Sequence, residues 1–130
     1  MATTLPVGPF RDETFLAAET LTSCQYHWVR LASATTVEVG TTDEAVMGIL
    51  QNAPASGEQA VVRTAGQSYL MVDGDSVDVA IMDPLDCDSS GHAVKQATNN
   101  GWYGAFAREA NTGTAKLLVV DIHNGYLSNA

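Results

Sequence analysis

The chain has 130 residues, and at 13.7 kDa a single domain is expected, with no room for a catalytic domain beside a regulatory one. Its composition, 45% apolar and 16% charged, excludes intrinsic disorder, and no apolar run approaches the length of a membrane span. Fifteen acidic residues against six Lys and Arg give a net charge of −9, which repels a phosphate backbone and argues against nucleic acid as a partner.

Residues 1–22 read as an arm. Pro6 and Pro9, with Gly8 between them, forbid regular helix and favour an extended course. Residues 11–21 could make one or two helical turns from Glu13, Leu16, Ala17 and Ala18, too few to stand without tertiary support, so helix or coil is expected there. The arm's apolar residues, Leu5, Val7, Phe10 and Phe15, are hard to place in a barrel core because the prolines prevent ladder pairing. They read as available to a partner. Met1 to Phe10 shows neither a positive n-region nor an apolar h-region, so no secretory signal is read and synthesis is expected in the cytoplasm.

From residue 23 onward the pattern is one of short runs rich in Val, Thr, Tyr and Trp, punctuated by Gly, Asn, Asp and Pro. Strands are predicted over 25–31, 36–39, 46–52, 59–64, 68–72, 77–81, 92–95, 102–109 and 114–122. No stretch beyond residue 25 sustains a helical apolar period over three turns. The expected fold is therefore all-β: a small single-domain β-barrel over 23–130 preceded by an extended N-terminal arm.

The segment Val46-Met47-Gly48-Ile49-Leu50 is echoed by Trp102-Tyr103-Gly104-Ala105-Phe106, an offset of 56. Gly57 falls on Gly113, and Thr36 to Val39 falls on His92 to Lys95, at the same offset. Two copies are too few for a solenoid, so two related halves closing one barrel is the simpler expectation. The glycines have backbone explanations. Gly48 and Gly104 inside strands mark a bulge, a sharp bend or a close backbone approach. Gly57 and Gly113 close loops that need positive φ, with Pro54 stiffening the first.

Chemistry-bearing constellations are sparse. Six aspartates lie between residues 73 and 88: Asp73, Asp75, Asp78, Asp83, Asp86 and Asp88. Asp86, Asp88, Ser90 and Gly91 match the first half of a calcium loop, but its twelfth position is Ala97. The alternative is a hairpin turn in which Asp88 and Ser89 bond local backbone and Gly91 is left-handed. Asp83 and Asp86 read as solvated turn carboxylates rather than an acid/base pair. His27, His92 and His123 show no zinc-ligand spacing, and Cys24 and Cys87 show no C-x-x-C, so both cysteines read as reduced, with a disulfide as the alternative. No nucleophile elbow, zincin or nucleotide fingerprint occurs. No catalytic, cofactor-binding or metal residue is assigned, and the chain is not expected to be an enzyme. Trp28, Tyr26, Trp102, Tyr103 and Phe106 are expected in the core or a subunit contact, and Trp28 or Trp102 as a sugar-stacking platform is the alternative.

The stretch G-I-L-Q-N-A-P-A-S-G-E over residues 48–58, continuing to Val62, resembles the central signature of the capsid decoration, or cement, proteins of tailed bacteriophages. Tyr26 to Leu31 resembles that family's first strand, Asp83-Pro84-Leu85 with Asp88 and Gly91 its mid-chain turn, and Trp102 to Asp121 its closing segment. Ile81-Met82 departs from the pattern, standing where relatives often have Ala-Gly. The resemblance implies a tulip-like β domain that forms a homotrimer on the outer surface of the virion, grips the major capsid protein and stabilises the head, with no cofactor and no membrane. It implies no catalytic residues. A surface carbohydrate-binding β module is the alternative function.

Overall fold

The computed structural model describes residues 6–42, 44–72, 78–96, 101–110 and 117–127. Among them are nine strands and no helix: β1 (Arg11–Ala17), β2 (Trp28–Leu31), β3 (Thr36–Val39), β4 (Gly48–Leu50), β5 (Gln59–Met71), β6 (Pro84–Cys87), β7 (Ala93–Lys95), β8 (Gly101–Ala107) and β9 (Leu117–Leu127). The ladder runs β1-β3-β2-β4-β5-β9-β8-β6-β7, and β1 also pairs with β5, which closes the first five strands into a barrel. The all-β barrel class expected from the strand pattern is the class found.

The 56-residue echo is visible in the pairing. Val29↔Val39 and Leu31↔Val37 join β2 to β3, and their offset counterparts Leu85↔Lys95 and Cys87↔Ala93 join β6 to β7 in the same register. β4 lies between β2 and β5 as β8 lies between β6 and β9. β1 also has a counterpart. It pairs antiparallel with the first half of β5 and parallel with β3 through Ala17↔Val37. The second half of β5 pairs antiparallel with β9 from Gly66↔Ile122 to Met71↔Leu117, and Val72 then bridges Ala93 in parallel. Strand β5 therefore serves both units.

Two cores follow. Leu21, Val29, Val37, Leu50, Ala60 and Val62 fill the first barrel, with Phe15, Cys24 and Met47 packed against them. Leu70, Val72, Val79, Leu85, Cys87, Leu118 and Val120 fill the second unit together with Trp28 and Ile49, which the first unit supplies. Trp28 is fully buried, and its Nε1–H donates to the Asp86 carbonyl at 3.0 Å. The expectation of two halves closing one barrel is thus revised, since each half wraps its own core.

Local expectations change where tertiary pairing decides. Residues 11–17, read as helix or coil within the arm, form a strand, because β3 and β5 satisfy its backbone on both sides while Phe15 and Ala17 turn inward. Pro6 and Pro9 lie ahead of that strand, where no ladder N–H is required. The predicted strands over 59–64 and 68–72 fuse through Gly66, which takes φ 92° at the switch between units. The turn expected at 83–86 is instead largely β6, with Pro84 as its first residue, a position that tolerates a missing donor. Residues 78–81 lie in no named strand, although Val79 is buried in the second core.

The paired glycines answer to close packing. A Cβ on Gly48 would overlap the Arg63 carbonyl of the neighbouring β5. On Gly104 it would lie 2.7 Å from Trp28 Cη2 and 2.9 Å from Val46 Cγ2, at the point where the β8–β9 register shifts. Gly57 has φ 84° and open space around its missing Cβ, so its requirement is conformational. Gly113 lies outside the described residues. Around Pro54, which is buried, Asn52 Oδ1 accepts from Val61 N at 3.0 Å and Glu58 Oε1 accepts from Ala55 N at 2.7 Å. The signature stretch is thus a self-bonded loop.

Gly48→Ala should cost about 3 kcal/mol in urea denaturation, because backbone must move. Gly57→Ala should cost about 1–2 kcal/mol, the left-handed penalty alone. Equal losses for the two variants would contradict this assignment.

Candidate functional site

The arm is laid along β5. Val7 N–H donates to Gln67 Oε1 at 3.1 Å, and the Pro9 carbonyl and Phe10 crowd the missing Cβ of Gly66. The Arg63 guanidinium lies 3.6 Å from the Phe10 ring centroid and binds Asp12 through Nε at 2.8 Å and Nη2 at 3.3 Å. A cation held by a carboxylate and capped by an aromatic face fixes residues 10–12 to the barrel. Val7 remains 60% exposed and Phe10 43% exposed. Phe15 differs. It packs against the first core and is not presented outward, while Leu16, which faces away from the barrel, takes the exposed position. Leu5 lies outside the described residues. The period-2 series Glu13, Phe15, Ala17 was the signal that could have identified the outward Leu16.

The aspartates have separate duties. Asp88 Oδ1 accepts from Ser90 N at 2.8 Å and His92 N at 2.9 Å, with Gly91 at φ 79°, which is the turn read as the alternative to a calcium loop. Asp83 Oδ2 accepts from Ala80 N at 2.8 Å and pairs with Lys95 Nζ at 3.6 Å. Asp86 is buried, and its carboxylate accepts from Gln96 Nε2 at 3.1 Å. Asp73, Asp75 and Ala97 lie outside the described residues, and among those described no cluster of three ligand-type side chains could hold a metal. Both cysteines are free, and burial followed by the charges of Asp88 and Asp86 pushes the Cys87 thiol up to about 12. It stays protonated near neutral pH and is no nucleophile.

The structure brings together two histidines that sequence spacing left unrelated. His27 and His92 have ring centroids 4.6 Å apart, His92 Nδ1 lies 3.5 Å from Asp88 Oδ2, and the buried His27 Nδ1 has no partner. Burial, and then repulsion from His92, pushes His27 below its ordinary 6.5, against weaker opposing pulls from the Ser90 backbone and Asp88. On unfolding the ring regains its ordinary basicity, so the unfolded chain takes up the extra proton first. Stability is therefore full above pH 6.5 and falls as the pH drops below it. Melting temperature should decline by a few degrees between pH 6.5 and about 5, and His27→Phe should flatten that slope. An unchanged slope in the variant would assign the proton elsewhere.

Two apolar surfaces stand apart from the arm. Ile81 and Met82 are 64% and 63% exposed, and Met82 sits at φ 72°, where glycine is favoured. This is the position at which the chain departs from the decoration-protein pattern. The other surface centres on Trp102, 44% exposed beside a cleft of about 470 Å³ lined also by Arg30, Leu31, Glu44 and Val46. Of the two tryptophans considered as sugar platforms, Trp28 is fully enclosed and only Trp102 is accessible.

No protein-family model matches the chain, and no curated protein matches it. Among solved structures, the chain is similar to the head fiber gp8.5 N base of bacteriophage phi29, with a TM-score of 0.65 and 13% identity, covering 88% of this chain and 95% of that one. The likeness extends over both units and shows a shared fold.

Proposed function

We propose that this chain is a structural protein of a bacteriophage head, bound as a homotrimer to the outside of the assembled shell through its N-terminal arm. The observation that carries the reading is the fold shared with a phage head fiber base across nearly the whole chain. The decoration-protein signature over residues 48–58 agrees with it, and so does the exposure of Val7 and Phe10 on an arm anchored at Gly66.

The physics of the role is mass action. A protein that binds only the finished lattice stabilises it against dissociation, because separated capsomers lack the composite site. A trimer presents three arms together, so contacts after the first are effectively intramolecular. Residues 6–9 lie in no strand and can reorder on the shell without opening the barrel. The net charge of −9 keeps an exterior protein soluble and away from packaged DNA. No catalytic step belongs to this role. The major capsid protein is the partner.

Arg11–Ala17 closes the barrel, so an informative truncation stops before it. Deleting residues 2–9 should leave the melting temperature within a few degrees and the sedimentation coefficient that of a trimer, while abolishing co-sedimentation with purified heads. Retained head binding by the truncated protein would refute the arm's role. A monomeric full chain would refute the trimer.

A further inference from the structure

We infer that the cleft beside Trp102 is a binding site for a neutral pyranose saccharide, a role independent of the capsid reading. The cleft is composite. Arg30, Glu44 and Val46 come from the first unit, and Trp102 from the second. A second recess of about 210 Å³ shares Glu44, Val46 and Trp102 and ends at Asp86 and Asn124. The duplicated units thus frame between them an open cleft suited to a small ligand, at a seam of the kind where such sites concentrate.

Its residues match the two faces of a sugar ring. An exposed indole offers a flat π-surface to the ring's C–H face. The ring's hydroxyls, each both donor and acceptor, need both kinds of group at the rim. Glu44 supplies carboxylate acceptors, Arg30 guanidinium donors and Asn124 an amide with both. Arg30 and Glu44 are held in place. Arg30 Nη2 lies 2.8 Å from Glu38 Oε2, and Arg30 Nη1 contacts Glu44 Oε2. Gln96 Nε2 donates to both the Trp102 carbonyl at 2.6 Å and Asp86 Oδ2 at 3.1 Å, coupling the strand that carries the indole to the inner end of the recess. Beneath, Trp28 and Val46 pack directly against Gly104, leaving no space there for a side chain. Preorganisation of this kind lowers the ordering cost of binding.

Charge and topology narrow the ligand. Glu38 and Glu44 pair with Arg30, the single cation among the residues just named, and Asp86 adds a third carboxylate to the recess, which disfavours uronic, sulfated or phosphorylated sugars. β2 and β8 each have ladder neighbours on both sides, so neither offers a free edge for an added peptide strand.

The chain has two tryptophans, and the buried Trp28 leaves Trp102 as the reporter of anything entering the cleft. The full chain is titrated with the tetrasaccharides of β-1,4-linked N-acetylglucosamine, β-1,4-glucose, α-1,4-glucose and α-1,6-mannose, with a heparin tetrasaccharide as the anionic control, and read by tryptophan emission and calorimetry. At least one neutral tetrasaccharide should bind and shift the emission, while heparin does not. Trp102→Ala should weaken that binding at least about tenfold with an unchanged melting temperature. Glu44→Gln, which leaves the aromatic plate in place, should weaken it severalfold and show that the rim participates. The inference is overturned if no neutral tetrasaccharide binds at about 10 mM, or if Trp102→Ala binds as the parent does. It is also overturned if Trp102→Ala lowers the sedimentation coefficient, which makes the cleft a subunit contact.

Discussion

The structure depends on one strand being long enough to serve two units. The 13 residues of β5 pair with β1 and β4 near their start and with β9 near their end. At about 3.3 Å per residue such a strand spans roughly 43 Å, more than a small barrel wall needs. The excess is what the second unit uses. Changing partners midway requires the chain to turn its hydrogen-bonding edge. Gly66 absorbs that change at φ 92°, in a space that the Pro9 carbonyl and Phe10 close to any side chain. The same residue therefore seats the arm and switches the sheet.

The second link between the units is Trp28. It belongs by chain position to the first barrel and by packing to the second, where it lies among Leu85, Cys87 and Ala105 and donates to the Asp86 carbonyl. A Trp side chain buries roughly 200 Å² or more, so placing it across the seam makes separation of the units costly. Gly104 gives way to it, with an added Cβ falling 2.7 Å from Trp28 Cη2, and at Gly40 an added Cβ would lie 2.7 Å from Cys87 Sγ and 3.2 Å from Trp28 Cβ. The glycine repeated in sequence is thus kept in each copy for a different reason: Gly48 to admit backbone, Gly104 to admit an indole.

Closure governs what the surface can do. Barrel closure leaves none of β1 to β5 with a free edge that would recruit other chains. Exposed apolar surface then lies on the wall: Val7 and Phe10 of the arm against β5, Ile81 with Met82, and the seam around Trp102. Only the arm follows from position in the chain. The seam exists because two related units meet with unlike side chains, Val46 in one and Trp102 at the equivalent place in the other.

Much of this was legible in the residues. Short β-rich runs without helical period determined the class, the Gly48–Gly104 offset revealed a duplication, and Asp88 with Gly91 specified a turn, because each of these is set by neighbours in the chain or by backbone sterics. Tertiary structure alone decided that β1 is a strand, since its local pattern also suits a helix and only the flanking β3 and β5 favour extension. It alone set His27 against His92, and it buried Trp28 while exposing Trp102, although the two are chemically alike. Those outcomes depend on residues tens of positions apart meeting across a seam, and a linear reading carries no information about which side of a barrel wall will face another wall.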